Sequence, residues 1–437
     1  MNVLMLGWEY PPHISGGLGT ACEGLTRALA GEGVNVTFIV PRAFGDEEAG
    51  HMRLLTPDSV VATTRRVEQS GERHVREPVE VIEVNSVLRP YQTPEQYLQS
   101  RSEFTQRSEP VSHVMEVLEH GSVAASQAVA HYGGDLFSEV RRFAALTSGL
   151  AQRLDFDVIH AHDWMTYPAA LQIRNATGRP LVVHVHSLEF DRSGEHVNPD
   201  IHRIEGAGIR GADRVIAVSH YTKGVIVRQH GVDPDKIKVV HNGVTRAEAA
   251  QRYHLHADDD RPIVLFLGRI TYQKGPEFFV RAAAKVLTRT KNVRFVMAGS
   301  GDMLEHVKHM VRELKVEQWF EFPGFVRGAE LEKWFSLAEC FVMPSRSEPF
   351  GITPLEALAC DTPVIVSRQS GVSEVLRHAL KTDYWDVDRI AQLMLAVIRH
   401  DSLCADMLEM SSRELLRLHW RAAAEKTSQV YQQAVAG

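Results

Sequence analysis

Ser345-Arg-Ser-Glu-Pro-Phe-Gly-Ile-Thr-Pro-Leu-Glu-Ala357 is the stretch on which the reading of this chain turns. It follows an apolar run, Cys340 to Met343, with the length and content of a buried strand. It leads into Leu355 to Cys360, the start of a helix. The pattern places Thr353 as N-cap, Pro354 at the first helical position and Glu356 at the third, a capping box with a proline start. Between strand and helix lies a polar loop with Glu348 and Gly351. A helix start offers free backbone N–H groups and a partial positive charge, and so favours a phosphate. The loop adds a carboxylate and a glycine that permits close approach. The stretch thus reads as a seat for a sugar joined to a diphosphate. Each carboxylate also has a plainer reading, Glu356 as capping partner of Thr353 and Glu348 as a solvated loop residue before Pro349.

Upstream of it a second polar loop has the same design. Ile263 to Leu267 is an apolar strand, Gly268-Arg-Ile-Thr-Tyr-Gln-Lys-Gly-Pro276 a loop, and a helix runs from Pro276 to about Leu287. Arg269 and Lys274 therefore sit beside a helix N-terminus, where the macrodipole disfavours cations. An anion between them reverses that small penalty, so the pair points to phosphate. Strands at Val293–Ala298, Phe320–Phe322 and Pro363–Val366 alternate with helices at Ala329–Leu337, Gly371–Leu376 and Asp386–Arg399. The tail from Met407 to Ala436 reads as helical.

The first half repeats the alternation. Val3 to Gly7 is a strand, and Ser15-Gly-Gly-Leu-Gly19 a glycine loop. Thr20 to Glu23 is a second capping box, Gly31 and Gly33 are helix stops, and Val34 to Val40 is the next strand. This is a βαβ unit, parallel by the usual rule, with the loop at the carboxyl end of its first strand, where open α/β sheets bind ligands. Adjacent Gly16 and Gly17 let backbone approach a ligand closely. Phe44 to about Val87 reads as alternating strands, and Arg89 to Leu154 as inserted helices, Glu116–Val129 and Leu136–Leu150. Asp157-Val-Ile-His-Ala-His-Asp-Trp164 is a strand ending in a polar cluster. There His160 reads as a buried strand residue, and His162, at the carboxyl end, as a site residue. The two share a face, with no third metal ligand evident nearby. Leu181–His186 is a further strand, followed by the polar loop Ser187–Gly194. Asn198–Gly208, Asp213–Ser219, Tyr221–His230 and Lys238–His241 read as helix, strand, helix and strand. Asn242-Gly243 breaks the pattern before a polar Ala247–Asp260 linker.

The expected architecture is two wound α/β sheets facing a cleft. The boundaries are residues 1–245, with a helical insert at about 90–154, then 246–415, then a helix at 416–437 crossing back onto the first domain. Composition bounds the partners. The chain has 437 residues, 44% apolar and 24% charged, as in ordinary globular proteins. Its net charge of −7 argues against a nucleic-acid partner. Four widely spaced cysteines fit a reducing, cytoplasmic compartment and give no zinc pattern. No run is long and apolar enough for a membrane span, and no signal peptide is expected.

Four segments in this order resemble the retaining glycosyltransferases of the GT-B fold, group four and the bacterial glycogen synthases: Ser15–Gly19, His160–Trp164, Gly268–Gly275 and Glu348–Ala357. The resemblance spans nearly the whole chain. It implies transfer of a hexose, glucose foremost, from a nucleotide-sugar such as ADP-glucose or UDP-glucose to a hydroxyl acceptor, foremost an α-glucan, with no metal and no further cofactor. Carried over residue by residue, Arg269 and Lys274 neutralise the departing diphosphate. Thr353 and the amides of Phe350, Gly351, Ile352 and Thr353 hold phosphate and sugar. Glu348 lies by the transferred hexose, Glu356 takes the ribose hydroxyls, and His162 contacts the donor sugar. Gly17 lets backbone reach the diphosphate from the other domain. The departures are Ile14 where glycogen synthases carry a lysine, Thr245 where the family has an acidic residue, and Ala379–Tyr384 in place of a Gly/Pro loop. A small or lipid-linked acceptor, a nucleotide-sugar epimerase and a non-catalytic sugar-binding module are the alternatives; oligomeric state is left open.

Overall fold

Strand and helix alternate because apolar runs of four to six residues are each followed by a polar turn and an amphipathic segment, the pattern that builds parallel sheets with helices on their faces. The computed structural model describes residues 1–12, 17–43, 47–56, 136–245 and 261–437. The expected strands across most of 44–87, the expected helix at 116–129 and the linker at 247–260 lie outside the described residues, as does Gly16.

The first sheet holds β1 (Asn2–Leu6), β2 (Asn35–Ile39), β3 (Arg53–Leu55), β4 (Val158–His162), β5 (Leu181–Val185), β6 (Arg214–Ala217) and β7 (Ile237–Val239). Its spatial order is β3-β2-β1-β4-β5-β6-β7. The pairs β1–β2, β1–β4, β2–β3 and β4–β5 are parallel, with Val3 opposite both Val36 and Val158. The second sheet holds β8 (Ile263–Leu267), β9 (Arg294–Ala298), β10 (Phe320–Gly324), β11 (Ala338–Met343), β12 (Val364–Ser367) and β13 (Leu380–Thr382). It is parallel throughout, in the order β10-β9-β8-β11-β12-β13. Both are α/β sheets with flanking helices. In each the order reverses at one point, between β1 and β4 and between β8 and β11, and there the carboxyl ends open a crevice for a ligand.

By compactness the described residues fall into two units. One is Met1–His184 with Ile204–Val215 and Ser428–Gly437; the other is Val185–Arg203 with Ile216–Thr427. In the second, Phe279, Phe295, Val264 and Met394 are buried in one cluster on the sheet, and Phe335, Phe341, Leu355 and Val372 in another.

Five elements depart from the sequence reading. The loop Ser187–Gly194 contains a short helix, Glu189–Ser193. The segment Ala379–Tyr384 contains an edge strand, β13, pairing Ile365 with Leu380. The helical tail is two helices, Asp401–Leu415 and Trp420–Ala436. Neither capping box forms. The helix Thr353–Ala359 starts one residue early, with Ile352 as N-cap and no side-chain cap, because the amides of Leu355 and Glu356 bond the Ile352 carbonyl at 2.8 and 3.1 Å. The first helix runs Gly17–Gly31, so Thr20 lies inside it, and the carboxylate serving its first turn is Glu9, which accepts from the Gly19 amide at 3.1 Å.

Candidate active site

The second unit brings the loops after β8 and β11 together at their switch point. After β8, Arg269 is half-buried and donates to Gln273 Oε1 at 3.3 Å, and a turn of 3-10 helix, Tyr272–Lys274, leads into the helix Pro276–Val286. After β11, Ser345 and Glu348 are buried. The Lys274 ammonium is paired with the Glu348 carboxylate, which also accepts from Ser345 Oγ at 3.3 Å. The backbone joins the loops too, because the Arg346 amide donates to the Gln273 carbonyl at 2.8 Å. Glu348 is held on its other side by an isolated parallel bridge to Ser370, its amide on Gln369 O and its carbonyl taking the Gly371 amide, both at 2.9 Å. A carboxylate with both backbone groups tied and its side chain on a lysine is a fixed charge, not a solvated loop residue.

Gly351 completes the turn into the helix Thr353–Ala359. Its φ is +99°, and a Cβ would stand 3.1 Å from Met343 Cε and 3.3 Å from Glu348 Cγ, so only glycine suits the place. Phe350 is buried, while Ile352 and Thr353 are partly exposed at the helix start. Burial pushes the Glu356 carboxyl up to about 7. Arg269, Lys274, Glu348, Phe350, Gly351, Ile352, Thr353 and Glu356 therefore occupy two loops and one helix start at neighbouring strand ends. Chemically the group offers two cations and the backbone of a helix start to an anion, and a carboxylate held against one of the cations.

The first unit places a different set at the ends of β1 and β4. Gly17 is exposed at the start of its helix. His162 is fully buried, its ring centroid 4.3 Å from His160, 5.2 Å from His184 and 6.2 Å from Phe38. His184 supplies the third imidazole that the sequence reading did not find, because β5 pairs with β4 and sets His184 opposite His162. The three rings have ligand-type nitrogens within 4.8 Å of one another. His160, however, uses both nitrogens in hydrogen bonds, Nδ1 with the Tyr431 hydroxyl at 2.6 Å and Nε2 with His184 Nδ1 at 3.3 Å. A metal could enlist it only by breaking one of them.

Glu9, Cys22 and Asp163 were not singled out as site residues. All three are buried, and the Cys22 thiol is pushed well up by burial, then by the charges of Glu9 and Asp163. Asp163 has φ +58°, a left-handed conformation uncommon outside glycine and enriched at functional turns. Its place directly after His162 was the available signal. Burial also pushes His186, just past β5, down to about 3, which keeps it neutral.

Two parallel α/β sheets, each with polar loops at its reversal point, make the architecture of the GT-B glycosyltransferases. Solved structures agree in fold. A sucrose-phosphate synthase from Thermosynechococcus elongatus superposes with a TM-score of 0.67 at 18% identity, over 100% of this chain and 99% of its own. An Anabaena protein solved with UDP-glucose gives 0.65 at 17% identity, over 99% and 100%. Residues 248–413 match the model for glycosyl transferases group 1 and residues 111–248 that for glycosyltransferase family 4. An uncharacterized glycosyltransferase of Methanocaldococcus jannaschii is 30% identical over 89% of each chain. A glycogen synthase of Mycobacterium tuberculosis is 26% identical over 100% of this chain and 96% of its own. A D-inositol 3-phosphate glycosyltransferase of Frankia alni is 32% identical over 61% and 67%. The chain belongs to this glycosyltransferase family.

Proposed function

We propose that the protein is a retaining hexosyltransferase that moves glucose from ADP-glucose or UDP-glucose to a hydroxyl of an α-glucan, without a metal. The observation that carries the reading is the pairing of Lys274 with Glu348 beside Arg269 at the switch point of the second sheet. A nucleoside diphosphate leaves with growing negative charge, and fixed cations and helix amides aimed at that charge lower the barrier. In this reading Arg269, Lys274 and the amides at 350–353 meet the diphosphate. Glu348 stands by the hexose, whose reacting carbon becomes positively charged, and Glu356 accepts from the ribose hydroxyls. The departing phosphate oxygen takes the acceptor's proton, so the bond to the leaving group breaks on the face where the new one forms. Full-length similarity to a glycogen synthase favours a glucan acceptor.

A second acceptor reading, a small phosphorylated polyol or sugar, is favoured by the inositol-phosphate relative and by the sucrose-phosphate synthase fold match. One experiment addresses both: release of each nucleoside diphosphate from a panel of nucleotide-sugars, with glycogen, glucose 1-phosphate, inositol phosphate or no acceptor, and Glu348→Ala as control. Acceptor-dependent release that disappears in the control supports transfer. Release that survives Glu348→Ala removes the role given to that carboxylate, and no release from any donor removes the transferase reading.

A further inference from the structure

Ser347, the residue before Glu348, is held through both its hydroxyl and its carbonyl. Its hydroxyl donates to Asp191 Oδ1 at 2.5 Å and lies 2.8 Å from the Tyr221 hydroxyl. Its carbonyl accepts from Gln273 Nε2 at 3.0 Å, and Gln273 Oε1 is the acceptor for Arg269. Because Ser347 gives its one proton to Asp191, the Tyr221 proton must point at Ser347. Asp191 comes from the short helix Glu189–Ser193, where its other oxygen accepts from the Leu188 amide at 2.9 Å. Asp191, Gln273, Ser347 and Glu348 are all buried. The Asp191 bonds are charge-assisted and shielded from water, the strongest kind available to such a turn.

We propose that Asp191 is a positioning residue for the donor site: through Ser347 it fixes the turn that presents Glu348 to Lys274. This rests on the transferase reading for its effect on turnover, but not for its effect on the turn. Asp191 reaches the turn through the hydroxyl of Ser347, one residue before Glu348, and so acts on that carboxylate by positioning it. With its anchor gone, Ser347 is free to turn and the Glu348 carboxylate shifts. A displacement of about 1 Å at a reacting centre costs on the order of 100-fold in rate.

The test compares Asp191→Ala, Asp191→Asn and Ser347→Ala in the full chain. Asp191→Ala and Ser347→Ala should each lower kcat by about 10- to 100-fold, with donor KM changing far less. The double variant should lose no more than either single one, because both break one relay. Asp191→Asn keeps an acceptor oxygen and should recover most of the loss. Hydrogen–deuterium exchange of the peptide over 345–351 supplies a readout that needs no turnover, and it should quicken in both alanine variants. Unchanged exchange there, or additive losses in kcat, overturns the proposal. Should the wild type release no nucleoside diphosphate, the transferase reading fails while the exchange result still decides for Asp191. If Asp191→Ala does not fold, Ser347→Ala and Asp191→Asn carry the same comparison.

Discussion

At the residue scale the proposed donor site is a small set of charged groups held by one another. Lys274 is engaged by Glu348, so its charge is aimed by the fold rather than searching solvent. Replacing Lys274 by Ala should lower kcat/KM for the nucleotide-sugar by about 100- to 1,000-fold, as for loss of one donor to a developing anion, and steady-state kinetics will check it. Glu356 carries a different prediction. Its carboxyl sits at about 7 in the fold against 4.5 as the ordinary value. The folded state therefore binds a proton more tightly than the unfolded chain between those values, and stability falls as pH rises through that window. The penalty is roughly 3 kcal/mol and is complete above neutrality. Glu356→Gln should thus melt several degrees above the wild type at pH 8 and level with it near pH 4.5, by calorimetry at the two pH values. If Glu356 holds the ribose hydroxyls, the same variant should raise donor KM at pH 8 while melting higher. The charges of this site were readable from residue types beside helix starts. Asp191 was not, because the serine it holds lies 156 positions away and no local pattern records such a contact.

At the element scale, most strands announced themselves as apolar runs, and the helix stops at Gly31 and Gly33 as glycines. What escaped were elements fixed by tertiary contact. β13 is short and only partly apolar, and it exists because β12 offers an edge. The expected cap at Thr353 lost to a backbone start at Ile352, and the expected cap at Thr20 to a carboxylate ten residues before the amide it meets. At the helix His220–His230 a distant carboxylate adds to a local cap. Its own Ser219 accepts from the Thr222 amide at 2.9 Å, while Glu374 takes the His220 amide at 3.0 Å and the Tyr221 amide at 2.5 Å. Burial would raise the Glu374 carboxyl, but hydrogen bonds from His241 and those two amides hold it below the ordinary value. Its contribution is therefore present at neutral pH and lost as pH falls through the carboxylate range. Glu374→Ala should cost about 1–2 kcal/mol at pH 7 and much less near pH 3, measured by urea unfolding at both values.

At the scale of the whole molecule, the sequence indicated two wound sheets, and the fold has them. It also led us to expect a helix at 416–437 crossing back onto the first domain, but no local pattern named the contacts at which the chain returns to what it has already built. In the second unit Gly243 is one such crossing: a Cβ there would stand 2.4 Å from the Trp420 amide nitrogen and 2.5 Å from the His419 carbonyl carbon, while the Val244 amide donates to the Leu418 carbonyl at 2.9 Å. Both obstacles are backbone and neither can swing aside. Gly243→Ala should cost on the order of 1–3 kcal/mol, the range for overpacking, with a lower Tm and unchanged secondary structure by circular dichroism. The three buried histidines of the first unit teach the same lesson, since their meeting depends on the pairing of β4 with β5 and on a tyrosine near the far end of the sequence.

That tyrosine sets a schedule for biosynthesis. Residues 428–437 are part of the same compact unit as the opening strand, and Tyr431 caps an imidazole made 271 residues before it. Most domains can finish folding as they leave the ribosome, amino end first. This one must wait for a later segment: the unit of the opening strand stays incomplete until residues 428–437 have been made, and a nascent chain stalled before residue 428 leaves that unit open at His160.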